Sequence, residues 1–221
     1  MQYFDKAYIK FFKDLCKNNY KEWFHANKKT YESAVKDPFK VFITDLLTEL
    51  EKEWGPTDFQ AKDYIMRINR DIRFSKDKSP YKTHMGAMMS KHGRKEMTRP
   101  GIFLQANHEG ILLYGGCYQL AKENLYNVRK AIIDDLKGFQ KIVNAKSFKS
   151  TYGEIQGDKH KRLPKEFQEA AEKEPLIYKK GFFYGSKLPA SDLTEKNLLN
   201  KVMKTYRVGD KMNAFLEEAL G

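Results

Sequence analysis

Apolar side chains recur at helical spacing through the N-terminal quarter of the chain. The pattern predicts an amphipathic helix over residues 5–18, with Asp5 as its N-terminal cap. Two further helices are expected, one from near Tyr20 and one from Pro38 to Trp54. The Gly-Pro pair that follows Trp54 is typical of a helix end, so this part of the protein is predicted to be entirely helical.

The pattern then changes from helical to alternating. Residues 64–74 alternate in polarity, which predicts a strand, at least in its first half. Residues 101–107 and 111–118 are predicted to be two more strands, joined as a hairpin by a short polar turn. Gly115 and Gly116 lie late in the second of these strands, and paired glycines there indicate a bulge or a close approach of the backbone to another group.

Helical spacing returns in the C-terminal half. A long helix is expected over residues 121–136, broken by Gly138, and a short one after Pro164. Because helices come first, strands come in the middle and helices close the chain, the predicted fold class is α+β. We expect helical N- and C-terminal segments packed on a central, mainly antiparallel sheet. The predicted organisation is a single domain, 1–221, in three parts: helical 1–56, sheet-centred 60–190 and C-terminal helices 191–221.

Positive charge is concentrated in one segment. The chain has 221 residues and a net charge of +12, and apolar residues make up 41% of it, enough for a sizeable core. Residues 1–60 carry ten Lys and ten acidic residues, whereas residues 67–95 carry nine Lys or Arg against two Asp. A local excess of this kind attracts anions. The cationic stretch from Arg67 to Arg94 is therefore the predicted functional surface.

The arginines of residues 67–82 are the candidate chemistry. Arg67 and Arg73 share one face of the predicted strand, whereas Arg70 interrupts the apolar face. A guanidinium directed toward a core costs on the order of several kcal/mol unless a carboxylate or a bound anion pairs with it. The candidate ligand-binding residues are therefore Arg67, Arg70, Asp71, Arg73, Asp77, Lys78, Tyr81 and Lys82.

Two interpretations of these residues remain open. In one, the arginines hold Asp71, Asp77 or a C-terminal carboxylate in an internal network, and the lysines are solvated. In the other, the three arginines and Lys78 line a pocket for phosphate, sulfate or carboxylate, with Asp71, Asp77 and Tyr81 as acid, base or orienting groups. The sequence favours the pocket, because three arginines within seven residues exceed what one salt bridge needs.

The same segment resembles the defining motif of a family known as domain of unknown function 2461. The motif is Arg-x-x-Arg-Asp-x-Arg-Phe followed closely by Asp-Lys-x-x-Tyr, and here it reads Arg67, Arg70, Asp71, Arg73, Phe74, Asp77, Lys78 and Tyr81. The resemblance extends to four other segments: Lys21-Glu22-Trp23-Phe24, Pro100-Gly101, Gly115-Gly116 and Leu163-Pro164-Lys165. It implies a stand-alone bacterial protein, and it implies no activity.

Other candidate sites have weaker signals. His84 and His92, which flank a Gly-Met-Met segment read as a loop, are too far apart for a helical metal pair, so no metal is predicted. Cys16 lies on the apolar side of its helix and is expected to be buried, and a nucleophilic Cys117 would need a base that the sequence does not show. No nucleotide-cofactor fingerprint or nucleophile elbow occurs, and we expect no cofactor.

Three classes of function follow. The first is a protein, with enzymatic activity left open, that binds a small anionic, phosphate-bearing ligand through the arginines. The second is nucleic-acid binding, because the pI is about 9.4, and because Phe74, Tyr81 and other aromatic residues lie near basic ones and could stack on bases. The third is a module that binds an acidic protein surface. No signal peptide or membrane span is evident, and two lone cysteines favour a reducing compartment, so we expect a cytoplasmic protein that contacts no membrane.

Overall fold

Four strands form one antiparallel sheet in the computed structural model, which describes residues 1–96 and 98–221. Their order across the sheet follows the chain, and their bounds are β1 Met85–Met89, β2 Gly101–Asn107, β3 Gly110–Cys117 and β4 Phe182–Pro189. Helix makes up 53% and strand 15% of the structure, and helices lie at both ends of the chain. The predicted α+β class is confirmed, as is the hairpin of β2 and β3. No helix of the described ranges is both long and apolar enough to cross a membrane.

The chain folds into two compact units. The first contains Met1–Gly93, Phe103–Leu113 and Lys187–Met203, and the second contains Arg94–Ile102, Tyr114–Ser186 and Lys204–Gly221. The single domain with three parts that the sequence suggests stays a prediction.

The first unit opens with the predicted helices. Helix α1 begins where Asp5 caps it, because the Asp5 carboxylate accepts hydrogen bonds from the backbone N–H groups of Ala7 and Tyr8 at 2.8 and 3.1 Å. A turn of π-helix, Tyr31–Lys36, joins the second and third predicted helices into one continuous stretch. The helices up to the site are α1 Lys6–Lys17, α2 Lys21–Ala26, α3 Lys28–Thr30, α4 Asp37–Trp54 and α5 Ala61–Tyr64.

The core of the first unit is aromatic. Phe4, Tyr8, Phe12, Phe39 and Phe42 are at most 1% exposed, and their rings contact one another edge to face or tilted. This cluster fixes α1 against α4, so the opposite side of α1 faces solvent.

The predicted strand over residues 64–74 is wrong. The segment begins with the short helix α5 and continues as extended chain that forms single antiparallel bridges, Ile65 with Ala87 and Asn69 with Tyr81. Its partner is the stretch that ends in β1, which the sequence had suggested was a loop. Polar and apolar residues do alternate along this segment, but its pairing with the stretch that ends in β1 consists of single bridges. The two stretches therefore form an irregular hairpin beside the sheet.

The helices of the second unit cover a separate core that includes Val128, Ile132, Phe139, Phe182 and Tyr184. The predicted break at Gly138 is displaced, because the first helix ends before Asp135, whose side chain accepts from the Gly138 N–H at 3.0 Å and so begins the next helix. The remaining helices are α6 Lys122–Asp134, α7 Leu136–Val143, α8 Lys146–Tyr152, α9 Lys165–Lys173, α10 Leu198–Val208 and α11 Asp210–Leu220, and α10 is shared by both units.

The close approach predicted at the paired glycines is confirmed. Gly116 has φ +87°, and a β-carbon there would lie 2.2 Å from the Phe182 carbonyl oxygen. A β-carbon on Gly115 would lie 2.7 Å from the Tyr184 ring. Glycine is therefore required where β3 passes β4.

Candidate anion-binding loop

Residues 67–82 form a hairpin-like excursion, here called the basic loop, whose two arms are joined by backbone hydrogen bonds. The Arg70 N–H donates to the Pro80 carbonyl at 2.9 Å, and the Lys82 N–H donates to the Ile68 carbonyl at 2.8 Å. Between the arms, residues 71–79 have no strand or helix. A loop on a supported base is where binding groups are commonly found.

Arg70 lies inside this loop and organises it. Its guanidinium forms an ion pair with Asp77, donates to the Ser79 carbonyl at 3.2 Å and lies 3.3 Å from the Ser75 hydroxyl. The Arg70 side chain is 26% exposed, and its two terminal nitrogens contact three residues of the segment between the arms. Arg70 thus forms an ion pair within the loop, as one of the two interpretations expects.

Arg73 forms a bidentate pair with Asp71 on the outside of the loop. Its Nε donates to Asp71 Oδ1 at 3.0 Å and its Nη2 donates to Oδ2 at 2.7 Å. The Arg73 side chain is 76% exposed. The same guanidinium lies 5.8 Å from the centroid of the Phe74 ring, which is 96% exposed.

The two carboxylates of the loop are held in their ionised form. Hydrogen bonds from Ser79, followed by those from the Arg70 guanidinium, lower the pKa of Asp77 to about 2. Hydrogen bonds from Arg73 lower the pKa of Asp71 below its usual value. A carboxylate with a depressed pKa is a weak base near neutral pH, so these groups are better suited to positioning arginines than to transferring protons.

Two lysines of the loop donate hydrogen bonds to its own backbone carbonyls, and a third is exposed to solvent. The Lys78 ammonium donates to the Ile72 carbonyl at 3.0 Å, and the Lys82 ammonium donates to the Arg67 carbonyl at 2.9 Å. Lys76 and the Arg67 side chain are exposed, and among the described residues neither forms a hydrogen bond or ion pair. Arg67 and Lys76 are therefore free to contact a ligand, and Lys78 keeps its positive charge, because a carbonyl oxygen does not neutralise an ammonium; Arg73 is paired with Asp71 but exposed.

Tyr81 anchors the base of the loop in the core. Its ring is 5% exposed and stacks on Phe24 with centroids 4.0 Å apart and an interplanar angle of 16°. The Asn19 carboxamide brackets the Tyr81 backbone, because it donates to the Tyr81 carbonyl at 2.9 Å and accepts from the Tyr81 N–H at 3.1 Å. Asn19 thus pairs with the outer edge of the hairpin as a residue of a neighbouring strand would.

Residues 7–215 match the conserved hypothetical protein family DUF2461. The chain belongs to this family. No curated protein and no solved structure was found to match the chain. The expected membership of DUF2461 is therefore confirmed over nearly the whole chain.

The two cysteines of this DUF2461 protein behave differently from each other. Cys16 is exposed, so its predicted burial is wrong: it lies at the edge of the apolar stripe of α1. Cys117 is 1% exposed, its thiol lies 3.7 Å from the Thr98 carbonyl, and burial raises its pKa to about 12. A thiol with that pKa is protonated at neutral pH and is a poor nucleophile.

The histidines show no metal-binding arrangement. Among the residues outside position 97, no group of three or more His, Cys, Asp or Glu side chains is placed to hold a metal ion. Burial lowers the pKa of His84 to about 4, with a smaller contribution from Lys82, so His84 is neutral at pH 7.

Phe74 was named from the sequence as a residue that could stack on a base, and the structure adds that it is the most exposed of the large apolar side chains that it describes. An aromatic residue between Arg73 and Lys76 in a loop is a common arrangement for stacking on a ligand. Sequence reasoning missed Asn19, because its partner Tyr81 lies 62 residues further along the chain.

Proposed function

We propose that this protein binds phosphate-bearing ligands of the nucleotide class on the basic loop. The exposed cations Arg67, Arg73 and Lys76 attract the phosphate, and the ring of Phe74 stacks on the base. The proposal keeps the predicted anionic ligand and the predicted arginines, and it adds an aromatic part to the ligand.

The observation that carries the proposal is the exposure of Phe74. Burying a side chain of this size contributes about 1.5–3 kcal/mol, and in the free protein that contribution is not realised. The ring is 96% exposed and lies beside the Arg73 guanidinium. Stacking of a base on an exposed aromatic ring is worth about 1–3 kcal/mol, which is more than a solvated arginine gains from a phosphate alone.

The internal contacts of the loop support a binding role. Arg70, Lys78 and Lys82 are engaged with carboxylate and carbonyl oxygens of the loop, so they fix its shape before a ligand arrives. A preformed loop loses less conformational entropy on binding. We assign Tyr81 to the support of the loop, because its ring is buried.

We place this binding in the cytoplasm. Cys16 and Cys117 are both free thiols, which is the usual state in a reducing compartment.

Titration of the protein with AMP and, separately, with inorganic phosphate tests the proposal. We expect Phe74→Ala to weaken AMP binding about tenfold, as loss of a stacking contact predicts, and to leave phosphate binding unchanged. Arg67→Ala should weaken both ligands. Tyr126→Ala is the matched control, because Tyr126 is an exposed aromatic residue outside the loop. Equal affinity of wild type and Phe74→Ala for AMP would refute the assignment.

A further inference from the structure

The exposed side of α1 carries a row of four lysines. Lys6, Lys10, Lys13 and Lys17 are all exposed, and their spacing of four, three and four residues places them within an arc of about 60° on the helix. The row extends about 16 Å along the helix axis. The apolar side chains Tyr8, Phe11, Phe12 and Leu15 occupy the opposite side and are buried. The row is thus fixed in direction by the core beneath it.

Most of the positive charge of this row is not paired with an acidic side chain of α1. In α1 the acidic side chain is Asp14, which pairs with Lys10 at 2.6 Å. Asp5 is occupied in capping the helix through the N–H groups of Ala7 and Tyr8. Lys6, Lys13 and Lys17 therefore present positive charge that the helix itself does not neutralise.

One end of the row leads to the basic loop. Asn19 follows Lys17 by two residues, and its carboxamide makes two hydrogen bonds with the backbone of Tyr81, at the base of the loop. Because α1 and the loop are joined at this point, the lysine row begins beside the loop and runs away from it within the first unit.

The other end of the row borders a cleft of about 720 Å³. Lys6 and Lys13 line it together with Ser191, Thr194 and His108, and so does Asp5, whose one negative charge is outnumbered by the two lysines. Among the described residues, the buried Nδ1 atom of His108 has no hydrogen-bond partner in the protein. The cleft thus combines positive charge with hydroxyl and imidazole groups that can bond to phosphate or sugar oxygens.

We infer that the ligand of this protein is a single-stranded nucleic acid whose backbone follows the lysine row of α1 from the basic loop toward the cleft. The inference rests on the function proposed above and extends it from one nucleotide to a polymer. A row of cations beside an exposed aromatic residue is the arrangement that single-strand binding needs, because the cations track the phosphates and the ring stacks on an unpaired base. Duplex DNA has no unpaired base to offer Phe74.

The salt dependence of binding tests the lysine row directly. Each phosphate neutralised on a single strand contributes about 0.7 to the slope of log K against log salt. The probe is a fluorescein-labelled 12-residue oligothymidylate, measured by anisotropy from 50 to 300 mM NaCl. The variant is Lys6→Gln with Lys13→Gln and Lys17→Gln, because glutamine has nearly the helix propensity of lysine. We expect its slope to be smaller than that of the wild type by about 2.

A matched control separates the row from net charge. Replacing the exposed Lys137, Lys141 and Lys149 of the second unit with glutamine removes the same charge away from α1. This control should keep the wild-type slope. Circular dichroism of both variants checks that the helices are intact.

Four results would overturn the inference: no binding of the 12-mer at 50 mM NaCl, equal slopes for the wild type and the α1 variant, equal affinity for duplex of the same length, or equally effective competition by polyglutamate. The last would instead indicate an acidic protein partner.

The α1 variant should bind AMP as the wild type does. If the α1 variant has the wild-type salt slope while AMP binding still depends on Phe74, single-strand binding along α1 is refuted and the proposed nucleotide binding stands. If AMP binding does not depend on Phe74, the proposed function itself is refuted.

Discussion

Replacing Asn19 with alanine tests whether the basic loop is held in place by one side chain outside it. The Asn19 carboxamide satisfies both the N–H and the carbonyl of Tyr81, at 3.1 and 2.9 Å. In Asn19→Ala both groups lose their partner at a partly buried position. The loop arms would remain joined to each other, but their outer edge would no longer be tied to the end of α1.

The expected cost follows from these two hydrogen bonds. Neutral hydrogen bonds of this kind contribute about 0.5–1.5 kcal/mol each, so Asn19→Ala should lower the free energy of unfolding by about 2 kcal/mol. For a chain of 221 residues, that loss corresponds to a fall of about 4–8 °C in the melting temperature. Differential scanning calorimetry gives this value, and hydrogen exchange of the Tyr81 amide, which should become faster, locates the change.

Asn18→Ala is the matched control. Asn18 is the preceding residue and is also an asparagine, but its side chain donates only to the Asp14 carbonyl of its own helix. It should change the melting temperature by less than half as much and leave the Tyr81 amide protected. If Asn19→Ala melts within 1 °C of the wild type and its Tyr81 amide exchanges at the wild-type rate, Asn19 does not hold the loop.

Three further outcomes are expected. Iodoacetamide should alkylate exposed Cys16 in the native protein and spare Cys117, whose buried thiol has a pKa near 12, as peptide mass mapping would show. Gly116→Ala should cost at least about 3 kcal/mol in urea denaturation, because its β-carbon collides with a backbone carbonyl, whereas Gly153→Ala, with positive φ but open space, should cost about 1–2 kcal/mol. Folding lowers the pKa of Asp77 from 3.8 to about 2, so the Asp77 carboxylate stabilises the loop fully above about pH 4, and this stabilisation is lost as pH falls through 2. Amide exchange of the loop should therefore become faster over this pH range in the wild type, and Asp77→Asn should abolish the dependence.

Much of the secondary structure follows from the sequence because local pattern and local capping agree. The cap at Asp5, the end of α4 at Gly55 and the hairpin of β2 and β3 all depend on residues close in the chain. The strand predicted after residue 64 is wrong because its pairing is irregular: the segment pairs through single bridges, Ile65 with Ala87 and Asn69 with Tyr81, and forms no continuous ladder. Periodicity reports which side chains are buried, but it does not report whether a continuous partner strand is present.

Arg70 and Arg73 show why the roles in the loop could not be predicted. The alternation of polar and apolar residues distinguished Arg70 from Arg67 and Arg73, and the Arg70 guanidinium does point into the loop, where it contacts Asp77 and Ser79. Strand geometry cannot extend to Arg73, however, because the bridge on this arm is at Asn69 and residues 71–79 have no strand. Which carboxylate pairs with which arginine is then set by the path of the turn.

The lysines of α1 show that a cationic surface can be missed when charges are summed along the sequence. Residues 1–60 sum to zero, and on that basis the sequence directed attention away from them. A sum over sequence, however, ignores the 100° rotation between successive helical residues, which gathers Lys6, Lys10, Lys13 and Lys17 on one side of α1, where the acidic residue of the helix, Asp14, pairs with Lys10. Electrostatic attraction depends on the arrangement of charge over a distance of about one Debye length, roughly 10 Å, which is two turns of helix. A neutral segment can therefore present a cationic surface, so the proposed anion-binding surface extends beyond the basic loop to α1.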